Sequence, residues 1–425
     1  MSTNVFVLGL DEGNLAELQR IPGTEHIRFH SLLTVEELVH SDELRLTELL
    51  AKARAQLSGF QGNVDAILGY WDFPTSSMVP LLCREFGLPS ATLEAVVTCE
   101  HKYWSRLAQQ EVINEYPRFG LVNLDDTAPP RGLGYPMWIK PIKAYSSELA
   151  FEVHDHEEFT GALDVIRGGI DRVGKPFQHL LDHLDLPSRV AEAGGQACIA
   201  EESASGTQVT VEGYSTGSQV RAYGVIDSHT YPDSASFLRY QYPSALPQAV
   251  QDRLADIACR VIEHIGLSHV AFNIEFFWDA DRDAITLLEV NPRHSQSHAR
   301  LFHEVDGVPN HQCSLRLALG LPPDLPHRQG AYPVAAKWFL RHFADGVVRR
   351  SPTPEEVTAI TDRIPGCSAE VSVRTGDRLS AQHGQDSYSY VLATVYTGAD
   401  SERELVRKYE RCVAELPFEI EDREE

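Results

Sequence analysis

The segment from Val270 to Arg293, VAFNIEFFWDADRDAITLLEVNPR, constrains this chain more than any other stretch. Two apolar runs with polar residues at every second position flank Asp-Ala-Asp-Arg-Asp-Ala, a composition suited to a reversing loop. A hairpin folded about residue 282 sets Glu275 opposite Glu289 and Asn273 opposite Asn291. Alternation then gathers all four on one face, with Ile274, Phe276, Leu288 and Val290 on the other. Opposed side chains in an antiparallel pair have Cβ atoms only ~4.5–5.5 Å apart, and like charges there are destabilising. The two carboxylates therefore require a shared proton or a cation between them. A hard divalent ion fits, since Mg²⁺ accepts carboxylates and an amide oxygen while keeping waters for phosphate oxygens. An isolated hairpin of this kind would read as two solvated acids. Pro292-Arg293 favours the other reading, because it ends the strand and sets a guanidinium beside the same face, where it suits an anionic oxygen.

The chain has 425 residues, 43% of them apolar, enough for two or three packed domains. Its 37 Lys+Arg against 61 Asp+Glu give a net charge of −24. That charge disfavours a general affinity for nucleic acid or anionic membranes, and any anionic ligand needs a local site. The opening residues MSTNVFVLGLDEGN carry no basic leader, and no run approaches the ~20 apolar residues that cross a bilayer. A soluble, cytoplasmic protein is expected. The seven cysteines form no C-x-x-C pair and read as reduced core thiols.

Apolar runs at 4–8 and 64–68 read as strands and residues 35–57 and 78–86 as helices, which implies an open parallel sheet. Ligands of such sheets bind at the C-terminal strand ends, here Gly9 to Asn14 and Tyr70 to Ser77. The G-x-G-x-x-G fingerprint is absent, which argues against NAD. Further helices are expected over 98–118, 157–183 and 246–266, and strands at Tyr135 to Pro141, 197–202, 207–214 and 218–226. Beyond Pro322-Pro323 a separate-looking tail carries strands near 331–340, 368–374 and 388–396 and a helix over 401–415. Gly213-Tyr214-Ser215-Thr216-Gly217 matches a nucleophile elbow, but a strand pattern follows it, so it reads as a turn. His294 and His298, at i and i+4, would offer a transition metal two ligands if helical, with no third identified.

Taken together, these residues resemble the ATP-grasp superfamily of carboxylate–amine ligases, of the L-amino acid or dipeptide ligase type. Leu288-Glu289-Val290-Asn291-Pro292-Arg293 is similar to that family's second metal-binding strand, and the likeness runs over roughly residues 1–325. It implies an α/β (α+β) ATP-grasp fold with an N-terminal open parallel sheet domain and a C-terminal β-rich lobe. The implied domains are a Rossmann-like unit at 1–97, an ATP-grasp region at 98–325 with a lid at about 130–215, and an α+β lobe at 326–425. By the same resemblance Lys102 and Lys140 contact ATP phosphates, and Ala200-Glu201-Glu202 with Gly206 resembles the hinge that receives adenine. Glu275, Glu289 and Asn291 would hold Mg²⁺ or Mn²⁺. Arg293 would face the reacting phosphoryl group and, with Lys140, is the catalytic assignment.

The chain departs from the family pattern at several points. Gln208 stands where the family places an acid for the ribose hydroxyls, with Glu212 as a stand-in. The phosphate loop lacks glycine and offers Ser146, Ser147 and a second cation, Lys143. After Arg293, the residues His294, Ser295, His298 and Arg300 fall where the acceptor substrate is handled, and Arg239 is placed to meet a carboxylate. His294 or His298 is the candidate general base. The activity implied is ATP-dependent joining of a small carboxylate, an amino acid or similar, to an amine through an acyl phosphate, with small-molecule partners and a homodimer as the expected assembly. The alternatives are a biotin-carboxylase-like, bicarbonate-dependent carboxylase and a nucleotide-binding protein without catalysis.

Overall fold

The computed structural model describes residues 2–41, 43–144, 149–382 and 389–422. Strands β1 (Thr3–Leu8), β2 (Ile27–Leu32) and β3 (Ala66–Leu68) form a parallel sheet in the order β2-β1-β3. The half-buried edge strand β2 was not expected, because IRFHSL lacks a clean apolar alternation. The helix expected over 35–57 is two, Val35–Leu38 and Leu46–Gly59. Leu44 and Leu46 are both buried, and residues two apart on one helix cannot share a face.

A second sheet is antiparallel, with β4 (Phe119–Val122), β5 (Met137–Pro141), β6 (Phe151–Val153) and β7 (Cys198–Glu202) in the order β4-β7-β5-β6. Met137, Ile139, Val153, Phe159, Leu163 and Ile166 make its core beneath the helix His156–Gly169. The single helix expected over 157–183 stops at Gly169 and restarts at Asp171–Leu181, as the poor helix formers Gly168 and Gly169 permit. The segment expected as one helix over 98–118 likewise divides, into Leu93–Glu100 and Lys102–Gln110. His101 lies between them and its ring accepts from the Trp104 N–H.

The third sheet has eight antiparallel strands. Strands β8 (Thr207–Ser215), β9 (Val220–Thr230), β10 (Phe237–Tyr242), β11 (Val270–Asp279) and β12 (Ala284–Asn291) come first, then β13 (Val334–His342). After β14 (Gly346–Arg350) follow β15 (Cys367–Val371) and β16 (Tyr390–Ala399), while β17 (Glu419–Asp422) pairs with β14 outside the sheet. The order is β12-β11-β8-β9-β10-β13-β16-β15, so the tail's strands β13, β15 and β16 continue this sheet, while β14 and β17 pair apart from it. On one face the helix Gln248–Ile265, closed by Gly266 at φ 72°, packs Leu254, Ile257 and Val261 against Val209, Val211, Ile274 and Phe276. Alternation sends residues 208, 210, 212, 273 and 275 to the opposite face.

Ser215 ends β8 and is buried, with residues 216–218 turning directly into β9, so the G-x-S-x-G match is a hairpin. The cysteines are free thiols, and burial pushes those of Cys83 and Cys198 up to about 12. Among the described residues no helix is long and apolar enough to cross a membrane.

Candidate functional site

The β11–β12 hairpin pairs Asn273 with Asn291 and Glu275 with Glu289. Its turn, however, is not centred where expected: Asp279 pairs with Ala284 and Phe276 with Leu287, and a bulge then shifts the register. Leu288 is the surplus residue. Leu287, not Leu288, therefore enters the core beside Phe276, which corrects the expected placement. A straight ladder run on from the turn would have set Leu288 opposite Glu275 and turned Glu289 to the apolar face.

Burial and the neighbouring Glu289 push the Glu275 carboxyl up to about 7, although Gln208 Nε2 donates to its Oε2 at 3.1 Å. Glu289 goes the other way. Burial alone would raise it, but Lys102 and Lys140 outweigh that and hold it below the ordinary carboxylate range. Lys102 Nζ lies 2.5 Å from Glu289 Oε1. Asn291 Nδ2 donates to Asn273 Oδ1 at 3.0 Å, which leaves the Asn291 carbonyl oxygen as an acceptor.

Lys102 also donates to the carbonyl of Ala144 at 2.9 Å, just beyond β5, and so ties the four-stranded sheet to the eight-stranded one. One helical turn on, Arg106 does the same. Its Nε meets Glu201 Oε1 at 2.6 Å, its Nη1 meets Gln109 Oε1 at 2.6 Å, and its Nη2 donates to the bulge carbonyl of Leu288 at 2.6 Å. Glu201 Oε2 in turn holds Lys140 Nζ at 2.5 Å. Burial would raise Glu201, but Arg106 and Lys140 together hold it at about 2. The side chains of Arg106 and Glu201 are 3% and 4% exposed, so the Glu201 carboxylate serves to position Lys140, while Glu202 sits outside on Arg118 at 2.7 Å. Lys143 pairs with Glu100 at 3.3 Å, and Ser77 donates to the same carboxylate at 3.1 Å. Ser146 and Ser147 lie outside the described residues. Sequence reasoning missed Arg106; its spacing of four from Lys102 on a single helix was the available signal.

Arg293 is gripped by Asp72, Nε to Oδ1 at 2.7 Å and Nη2 to Oδ2 at 2.9 Å, and its Nη1 reaches the carbonyl of His294 at 3.2 Å. Burial would raise Asp72, but Arg293, Lys143 and Lys102 hold it low. The Tyr70 to Ser77 loop had been expected at the ligand end of β3, yet nothing in the sequence singled out Asp72.

The loop after Arg293 is fastened by Glu212, whose Oε1 accepts from the Ser295 N–H at 2.9 Å and lies 2.8 Å from His298 Nδ1. The Tyr223 hydroxyl binds Oε2 at 3.1 Å. Fully buried and so occupied, Glu212 is not a ribose-binding stand-in, which corrects that expectation. The two loop histidines also diverge. His294 Nδ1 lies 2.7 Å from Ser314 Oγ with its ring against Tyr70 and His311, so the i, i+4 metal pair does not form. Burial, then His311 and Arg293, drive the His294 imidazole well below its usual value, so it stays neutral. Arg300 stacks on Tyr396 at 4.6 Å. Arg239 is not at the site: it pairs with Glu402 and stacks on Trp338 at 4.9 Å, because alternation on β10 gives the site face to Tyr240, whose ring abuts His298.

Two carboxylates and an amide oxygen on one rigid hairpin suit a hard divalent ion that completes its shell with water or phosphate oxygens. The donor chemistry thus fits Mg²⁺ at Glu275, Glu289 and Asn291. Among the described residues no group of three or more His, Cys, Asp or Glu side chains is placed to hold a metal ion.

Replacing Arg106 by Met should cost about 3 kcal/mol in chemical denaturation, because Lys140 remains on Glu201 but the bulge carbonyl loses its donor. The raised Glu275 sets a second expectation. Its neutral form is favoured in the fold, so the stability it lends the metal-free protein is full below pH ~4.5 and is lost as pH rises through about 7. Glu275→Gln should therefore melt a few degrees above the wild type at pH 8 without metal, and no higher at pH 4.5. Parallel melting curves at both pH values would count against the assignment.

Residues 133–299 match the ATP-grasp domain family. The whole chain superposes on the L-amino acid ligase from Bacillus licheniformis at TM-score 0.71 and 16% identity, covering 99% of each chain. Against the biotin carboxylase from Campylobacter jejuni the TM-score is 0.67 at 13% identity, with 99% and 92% covered. The N5-carboxyaminoimidazole synthase from Aspergillus clavatus gives 0.66 at 14%, with 97% and 98% covered. No curated protein sequence matches the chain. The chain thus carries a match to the ATP-grasp domain over residues 133–299, set in a fold shared over nearly the full length of these solved structures.

Proposed function

We propose that this protein is an ATP-dependent ligase that joins a small carboxylate, an amino acid or a similar acid, to an amine. The observation that carries this reading is the opposition of Glu275 and Glu289 on one sheet, with Lys102 bonded to one of them and Lys140 fixed across the gap on the other. Phosphoryl transfer asks a protein for positioning and charge neutralisation, with little covalent help. Mg²⁺ held by Glu275, Glu289 and Asn291 would supply a Lewis acid for phosphate oxygens.

The chain's own groups do the rest. Lys102 and Lys140 neutralise the nucleotide's phosphates, each held in place by a carboxylate. Arg293, oriented by Asp72, spends three of its five N–H donors on Asp72 and His294. The two that remain stabilise charge on the acyl phosphate as it forms and as the amine displaces phosphate. His294, buried and neutral with Nδ1 committed to Ser314, orients the loop and does not collect the amine's proton.

Bicarbonate is the alternative acid, since a biotin carboxylase superposes on the chain nearly as fully as the amino acid ligase does. A phosphate-release screen of amino acids in pairs with MgATP separates the two readings. Release that needs an organic acid and an amine supports ligation, and release on bicarbonate alone overturns it. Glu289→Gln and Lys140→Ala should lower the amine-dependent release by on the order of 10²–10³ with melting temperatures near the wild type. Full turnover by either variant would defeat the site assignment.

A further inference from the structure

The face of the eight-stranded sheet that carries the acid pair does not stop at the nucleotide end. Register links Gln208 on β8 to Ser228 on β9, then to Tyr240 on β10, Lys337 on β13 and Tyr396 on β16, in one row across the floor. Gln208 is the residue bonded to Glu275. From β8 to β13 are three strand spacings, roughly 14 Å at ~4.8 Å each. Two extended residues span roughly 7 Å, so a two-residue product fits between Gln208 and Lys337, the far end of this span, with side-chain reach to spare.

Lys337 sits at the far end and stands out chemically. The residue is only partly exposed, and its ammonium donates to the Ser297 hydroxyl at 3.2 Å. The rings of Phe339 and Tyr396 lie at 5.2 and 5.9 Å. Among the described residues no carboxylate reaches it at ion-pair distance; Glu370, the acid that acts on it, does so from further away. Burial accordingly lowers its pKa to about 8. A half-buried cation with one neutral hydrogen bond is unfavourable unless an anion joins it. The bonded hydroxyl belongs to the loop that begins at Arg293, so the ammonium faces the space where the acceptor is handled. Nearby Arg300, stacked on the same Tyr396 ring and 3.7 Å from Glu370, adds positive charge.

We propose that Lys337 anchors the carboxylate of the amine substrate, so that the acceptor is an α-amino acid and not a simple amine. This rests on the ligase reading above, and it makes Lys337 the group that selects for an acidic acceptor. The ammonium takes the far carboxylate, Ser297 holds the ammonium in line, and the row of Tyr240 and Ser228 carries the chain of the acceptor back toward Arg293.

The test is calorimetric titration of the MgADP-loaded protein with the twenty standard amino acids and their carboxamides. At least one amino acid should bind tenfold or more tightly than its amide. Lys337→Met should weaken that amino acid by the same factor while leaving the amide and MgADP unchanged, and Lys337→Arg should restore most of the preference. Equal binding of acid and amide by the wild type overturns the proposal without any variant. So does the absence of amino acid binding, or a Lys337→Met variant that weakens acid and amide alike. Phosphate release separates the two readings. An acid-over-amide preference that depends on Lys337, with no phosphate released by any pair, would sink ligation and keep the anchor. Release as fast with amides as with acids would keep ligation and sink the anchor.

Discussion

The buried guanidinium of Arg106 is the contact on which the site depends. It holds the carboxylate bonded to Lys140 and, through a second donor, the carbonyl of the surplus residue that brings Glu289 into line. Lys140 and Glu289, on different sheets, are thereby set by one side chain. Removing two charges from water is costly, and buried ion pairs contribute little net stability. What this one contributes is geometry, since a rigid, planar fork fixes the directions of three bonds where an ammonium would fix none.

The acid pair shows how one environment yields two protonation behaviours. Glu275 and Glu289 are chemically identical and directly opposed, yet Lys102 sits on one and, among the described residues, an amide side chain on the other. Charge repulsion therefore falls almost wholly on Glu275, which stays ready to release a proton when a cation arrives. The loop beyond them is held from several sides. Glu212 grips it from the sheet, Asn310 Nδ2 donates to the Ser295 carbonyl at 2.8 Å, and Asn14 of the N-terminal unit donates to Gln296 at 2.7 Å. The reacting end of the site is thus assembled from segments nearly three hundred residues apart in the chain.

Much of this was legible in the residues. Strict alternation in NIEFFW and LLEVN fixed which side chains share a face, and Gly87 and Gly266 marked helix ends with the left-handed conformation that only glycine adopts freely. The bulge was not legible, because Leu287 and Leu288 are the same residue and either satisfies the core pattern. Arg239 misled for a related reason. FLRYQY is aromatic or polar at every position but one, so its period cannot say which face turns inward. The pairing of Arg106 with Glu201 crosses 95 positions, and the joining of the tail's strands to the main sheet crosses a Pro-Pro punctuation that looks like a boundary. Long-range pairings of this kind leave no local trace.

The bulge also gives the hairpin a lopsided tolerance to changes in chain length. A polypeptide shorter by residue 288 would run as a plain ladder and still deliver the two acids face to face, though Arg106 would be left with a donor pointing at nothing. One residue more at the same point would, as a plain ladder, return the second acid to its face but set it across from Asn273, and the facing pair would be lost. Length at this spot has slack in a single direction.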